Sequence, residues 1–313
     1  MREFWLRFAL HRYGLAASFY VLVLILVMLV LEVVPSSDPH EITSAVMQPP
    51  SAAHILGTDE LGRDVLLGIL HGIRVSLSVG FAAAFGATAI GVVVGAMAGF
   101  YGGVLDLLFM RVSEVFQVVP SFILAALIVA LSGPGLPQVV AVISLLAWPQ
   151  VARLMRGEVM RLKHMEFVDA VRCLGTREFT ILAGEIIPNA LAPALAAGSL
   201  IVGQAILLEA ALSFFGLSSA EIISWGRMLN SGQRFLFNAW WLSVFPGAAI
   251  FLTVLAFNLL GDALGSALNP RTASTCTLLR CWTLSTSASA IGRVGVWCRP
   301  CGRSTCRLPK VKP

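Results

Sequence analysis

The chain has 313 residues, 57% of them hydrophobic and only 12% charged. So few charges cannot coat an ordinary soluble domain, and the balance leaves an all-α bundle embedded in a membrane. The formal charge of +5 comes from arginine-rich segments beside apolar runs, which suits a lipid bilayer and calls for no nucleic acid.

Residues 1–14 read as a cytoplasmic N-terminus, with Arg2, Arg7 and Arg12 ahead of an apolar run over 15–34. About 20 apolar residues suit a span rather than a signal core. No small-x-small cleavage site follows, so the run is expected to remain as the first transmembrane helix. Residues 35–76 are polar, and Pro35, Pro39, Pro49 and Pro50 interrupt any helix there. Their acidic excess suits an extracytoplasmic segment. Within it Gly57, Gly62 and Gly72 read as turns, and Asp59, Arg63 and Asp64 as charges that cross-pair.

Further spans are expected at 77–100, 106–131, 138–154, 190–214 and 241–262. Trp225, Trp240 and Trp241 precede the last of them, where indoles suit the interfacial belt. Six spans bring both termini to one side, and the basic loop after the fourth puts that side in the cytoplasm. The five histidines are scattered and expected to be solvated.

Inside the second span Gly91, Gly95 and Gly99 make two successive small-xxx-small steps, a helix-packing face. An ionisable group at mid-bilayer costs roughly 2.5–3.5 kcal/mol, so each one needs a reason. Asp106, Arg111 and Glu114 open the third span, and Arg111 and Glu114 are spaced to pair along the helix. Glu209 stands some 27 Å of helical rise into the fifth span, near the outer surface. It reads as an interfacial or subunit-contact residue. Asn258 and Asp262 read as packing and capping groups at the inner end of the sixth. No Gly-Lys dipeptide occurs, so there is no Walker A phosphate loop. Neither a His-x-x-Glu-type zinc motif nor a Gly-x-Ser-Gly-like serine site is present, and no enzyme activity, metal or cofactor is expected.

The loop 155–189 is the most patterned segment. Together with the end of the preceding span it holds Arg153, Arg156, Arg161, Lys163, Arg172 and Arg177 in a chain otherwise poor in charge. Phe167, Ala170, Val171 and Leu174 recur at i, i+3, i+4 and i+7, one face of a short helix. Glu166, Asp169 and Arg172 lie on the other side, and Gly175 supplies a stop. Such a helix either lies in the headgroup layer or serves as a handle for a soluble partner.

FVDAVRCLG at 167–175 followed by IIPN at 186–189 resembles the EAA loop of type I permeases of ATP-binding-cassette (ABC) importers, with Asp169 in place of Glu and Val171 in place of the second Ala. HILGTDELGRDVLLGILHGIRVSLSVG at 54–80, LDLLFMRVSEVFQVVP at 105–120, ILLEAALSFFGL at 206–217, SWG at 224–226 and NLLGDAL at 258–264 are similar to the dipeptide/oligopeptide/nickel permease family, in particular its C-type subunit. The resemblance implies a six-span type I ABC importer transmembrane domain, with a core of five helices over 77–271 after the first span. It also implies a second homologous permease subunit, two ABC ATPase subunits and an extracytoplasmic substrate-binding protein as partners, in a bacterial inner membrane. Glu166, Asp169, Ala170, Gly175 and Pro188 are the residues it assigns to ATPase coupling. Peptide cargo is the main reading, with nickel or glutathione as the alternative.

Members of that family end soon after the position of Asn269-Pro270-Arg271, whereas residues 272–313 add a basic tail with five cysteines. Cys298, Cys301 and Cys306 have zinc-ligand spacing, but the tail has no histidine and no apolar period. It reads as a disordered extension or as translation past a disrupted frame. A secondary transporter or channel would show internal repeats with broken mid-membrane helices, and an intramembrane enzyme would need catalytic pairs. Neither pattern is present.

Overall fold

In a bilayer the backbone amides of a long apolar run can be satisfied only within the run, so such runs fold as helices. The computed structural model of the chain describes residues 12–33, 44–218 and 222–268. All of these belong to one compact unit, Met1–Asn269. The second unit, Pro270–Pro313, lies outside the described residues, and with it the reading of the tail and of Cys298, Cys301 and Cys306.

Helix α1 runs Arg12–Val33 and α2 runs Val65–Tyr101. Helices α3 (Gly103–Val118) and α4 (Ser121–Ser132) form a bent pair, and α5 spans Leu136–Leu162. The loop helix α6 is Glu166–Cys173. Then α7 (Glu178–Ile181) passes through a wide π turn, Leu182–Ile186, into α8 (Ile187–Phe214). A short α9 (Trp225–Gly232) precedes the last long helix, α10 (Trp241–Leu268). Among the described residues, five helices are long and apolar enough to cross a membrane, six if the bent pair counts as one span. Helix α2 is central, packed on α5 and on α8, while α10 joins α8 to α1.

Two boundaries differ from the sequence expectation for physical reasons. Helix α2 begins at Val65, well before 77, because Asp64 caps it: its Oδ1 accepts from the Leu66 amide at 2.8 Å. The third span is not continuous, for α3 and α4 meet at 88°. Val119, just before Pro120, is extended (φ −84°, ψ 131°), as a following proline ring demands, and the helix cannot pass.

The contact between α2 and α5 is close enough to be backbone on backbone. A Cβ on Gly91 would lie 2.5 Å from Val151 Cβ, and one on Gly99 would lie 2.8 Å from the Arg156 carbonyl oxygen. On Gly95 it would press into the Ala152 carbonyl. All three glycines therefore face α5. Ser144 Oγ of α5 adds a hydrogen bond to the Ala83 carbonyl of α2 at 3.2 Å.

Because the obstructing atoms at Gly95 are backbone, Gly95→Leu should force the helices apart, an overpacking that costs about 1–3 kcal/mol. Gly157→Ala, inside the same long helix with open space around it, should keep or slightly raise stability, since alanine favours the helix over glycine. Thermal unfolding of the detergent-solubilised protein checks this, and equal Tm values for the two variants would contradict the packing assignment.

Candidate functional site: the charged loop after the fourth long helix

Helix α5 continues about two turns past Arg156 and carries its charge into a clamp. Arg156 grips Asp106 with one edge of its guanidinium, Nε donating to Oδ1 at 2.5 Å and a terminal nitrogen to Oδ2 at 2.6 Å. Lys163 donates to the Phe100 carbonyl, and its ammonium stands 5.5 Å over the centre of the Phe100 ring. These two contacts fasten the end of α5 to the α2–α3 corner, where Gly102 and Gly103 take φ values of 67° and 58°. The sequence placed Asp106 at an interface beside Arg111 and Glu114. The structure pairs Arg111 with Glu114 at 2.8 Å and gives Asp106 to Arg156.

From this anchor the chain turns at Met165, whose extended backbone starts α6, with the Val168 amide donating to the Met165 carbonyl at 2.9 Å. The helix ends where Gly175 takes φ 76°. Nothing lies within 4 Å of a Cβ built there, so glycine is needed for its backbone conformation, not for room. Arg172 bonds Glu178 at 3.0 Å and Asp169 at 3.2 Å, bracing α6 against the start of α7. Glu178 foremost, then Asp169, push the Arg172 pKa above its ordinary value, so the brace stays cationic.

Most of the apolar stripe of α6 stays outside, and a residue beyond that stripe roots the helix. The buried residue is Val168, wholly enclosed in the main core with Met155, Val159, Ile181 and Ile186. Phe167, Ala170 and Leu174 point outward, Leu174 at 84% exposure, and Phe179 on α7 is 70% exposed. An eight-residue helix has barely two turns, so the period alone could not say which edge meets the core. Glu166, Asp169 and Gly175 are exposed too. Pro188 is exposed near the start of α8, just past the π turn. Lacking an N–H, it cannot close an α-turn onto the preceding residues, and the widened turn accommodates that.

At the opposite end of the bundle other residues depart from expectation. Asp59 does not cross-pair within its loop but accepts from the Leu61 and Arg63 amides at 2.8 and 2.7 Å. Asp64 caps α2 and holds His54 Nδ1 at 3.0 Å, so this histidine is not free in solvent. Gly72 is no turn. It lies within α2, where a Cβ would come 2.7 Å from the Trp225 ring. Trp225 and Trp241 are buried rather than interfacial, donating to the carbonyls of Ile69 at 2.9 Å and Thr58 at 3.2 Å. Glu209 is not at a lipid interface: it is 2% exposed, and its Oε1 accepts from Ser213 at 2.6 Å. Its Oε2 is buried without a hydrogen-bond partner among the described residues. Counting rise along the helix gave its height but not its direction.

The chain matches, over residues 91–274, the family described as "Binding-protein-dependent transport system inner membrane component". It is 37% identical over 273 residues to a glutathione transport system permease protein of Pectobacterium atrosepticum, covering 86% of this chain and 91% of that one. With the dipeptide transport system permease protein of Bacillus subtilis it shares 37% identity over 276 residues, 86% of this chain and 85% of the other. A di/tripeptide transport system permease protein of Pseudomonas aeruginosa is 36% identical over 279 residues, 87% of this chain and 92% of that one. Among solved structures, an inward-facing form of the MetNI methionine ABC transporter superposes with a TM-score of 0.54 at 18% identity, covering 66% of this chain and 98% of that one, a likeness of fold.

Val168 is the one fully buried residue of α6, so Val168→Asp should expose residues 166–175 to rapid hydrogen–deuterium exchange, whereas Phe167→Ser should leave their protection as it is. Equal protection in both variants would show that the helix is held by something other than Val168.

Proposed function

The chain belongs to the family of binding-protein-dependent transport system inner membrane components, the permease subunits of ABC importers, and on that premise we propose that its cargo is a dipeptide or oligopeptide. ATP hydrolysis in such an importer is the work of separate ATPase subunits. The cargo assignment rests on relatives that carry dipeptide and di/tripeptide names over most of their length. A second reading, glutathione, has a specific support in the relative from Pectobacterium atrosepticum. Glutathione is itself a tripeptide, so the two readings share one chemistry.

In this reading the chain pairs with a second, homologous permease. Two ATPases sit beneath the pair, and an extracytoplasmic binding protein delivers cargo from the other side. The six cations from Arg153 to Arg177 support placing the loop, and with it both termini, in the cytoplasm. One observation carries the coupling role: α6 turns Phe167, Ala170 and Leu174 away from its own chain while Val168 holds it in the core. An apolar face with Glu166 and Asp169 beside it suits a groove on a soluble subunit. Closure of the ATPases would then drag α6, and through Met155, Val159 and the Arg156–Asp106 grip would move α5 against the α2–α3 corner.

The test is the ATP hydrolysis that loaded binding protein stimulates in the reconstituted complex. Asp169→Ala and Gly175→Leu should lower it about tenfold, equivalent to ~1.4 kcal/mol of coupling, with all subunits still co-purifying. Full stimulation in both variants would refute the coupling role of this helix.

A further inference from the structure

A groove between α4, α5 and α8 lies away from the loop. Its walls are mostly apolar, with Phe122, Ile143 and Leu208 among them, and its volume of about 450 Å³ falls in the range of small-molecule sites. Two carboxamides interrupt that lining, Gln150 from α5 and Gln204 from α8. Both are exposed, and neither has a hydrogen-bond partner among the described residues.

Their depth is what makes them notable. Gln150 stands 14 residues after Leu136, where α5 starts, and Gln204 stands 10 residues before Phe214, where α8 ends. At 1.5 Å per residue these are about 21 and 15 Å from the same end of the bundle. Both amides therefore sit within the stretch of helix that crosses the apolar layer, where an unpaired amide facing lipid is strongly unfavourable. The groove's rim gives a second sign. Ser121 opens α4 directly after the break, and Val119 and Pro120 at that break are exposed. Irregular backbone at membrane depth persists only where protein covers it or where it borders water. The groove thus faces a wet path or a covered seam rather than hydrocarbon.

We propose that Gln150 and Gln204 are the residues with which this chain holds its cargo during passage, by hydrogen bonds to the cargo's own peptide groups. This rests on the reading of the chain as a peptide permease. A carboxamide carries an acceptor and two donors, so it pairs with a backbone C=O and N–H at once. Such pairing reads what all peptides share. The neutral, apolar surroundings accept varied side chains without demanding a charge, which fits a path for short peptides of many sequences.

Proteoliposomes with the complete complex, loaded binding protein and a radiolabelled dipeptide provide the test. Gln150→Leu with Gln204→Leu should cut dipeptide uptake at least tenfold while stimulated ATP hydrolysis and subunit assembly persist, so that cargo moved per ATP falls. Gln204→Cys, with the native cysteines replaced by serine, should react with a water-soluble maleimide, and dipeptide should slow that reaction. Unchanged uptake in the double variant would overturn the proposal. So would a cysteine at 204 that only crosslinks to the second permease, or one that stays inert because it faces lipid. A wild-type complex that hydrolyses ATP but imports no peptide would instead sink the peptide reading itself.

Discussion

The contact that everything else depends on is the one between the backbones of Val65–Tyr101 and Leu136–Leu162. Three glycines, each a turn apart, remove the side chains that would hold the two helices off, and the Ala152 and Arg156 carbonyls fill the space. Lipid offers no hydrophobic force to press helices together, so close packing of small residues has to do that work. With the two helices locked along their length, the second is a rigid strut from the opposite end of the bundle to the charged loop. The grip of Arg156 on Asp106 and of Lys163 on Phe100 finishes the strut at its loop end.

That rigidity gives the loop helix its meaning. Glu166–Cys173 is too short to be stable alone, and it is pinned by one enclosed valine and one arginine brace. Val171 is half-buried against the same core, while Phe167 and Ala170 turn to the outside. A helix with a fixed root and an uncovered apolar face suits a joint between two moving bodies. Force applied there passes into the strut and on to the α2–α3 corner, from which the bent pair Gly103–Ser132 departs. Ser121, which follows the break, and the amides of Gln150 and Gln204 border one groove, so a moved strut would reshape it. The proposed coupling and the proposed cargo contact are thereby two ends of one mechanical element.

Much of this architecture was legible in the residues, and the limits follow from geometry. Hydropathy located the apolar runs, since a helix in lipid must be apolar around its circumference. The spacing of Gly91, Gly95 and Gly99 marked a face but could not name Val151 and Ala152 as its neighbours. Periodicity located the loop helix and its outward apolar stripe but not its root, because Val168 lies between the residues of that stripe. Glu209, Trp225 and Trp241 were misread for a shared reason. Distance along a helix is written in the chain, whereas direction around it depends on neighbours distant in sequence, such as Ile69 and Thr58 for the two indoles. The Asp106–Arg156 pair was hidden in the same way, its members fifty residues apart on different helices. The break before Pro120 could have been read from its proline, but a proline alone does not decide. Pro149, Pro193 and Pro246 all sit inside unbroken helices.

The central claim is that the outward edge of the loop helix meets an ATPase subunit. Placing a photoactivatable phenylalanine analogue at Leu174 in the assembled complex tests it most directly. Illumination should join this chain covalently to the ATPase, and the same probe at Phe85, exposed on the membrane flank of the second helix, should not. An adduct with lipid or with the binding protein at Leu174, and none with the ATPase, would contradict the account.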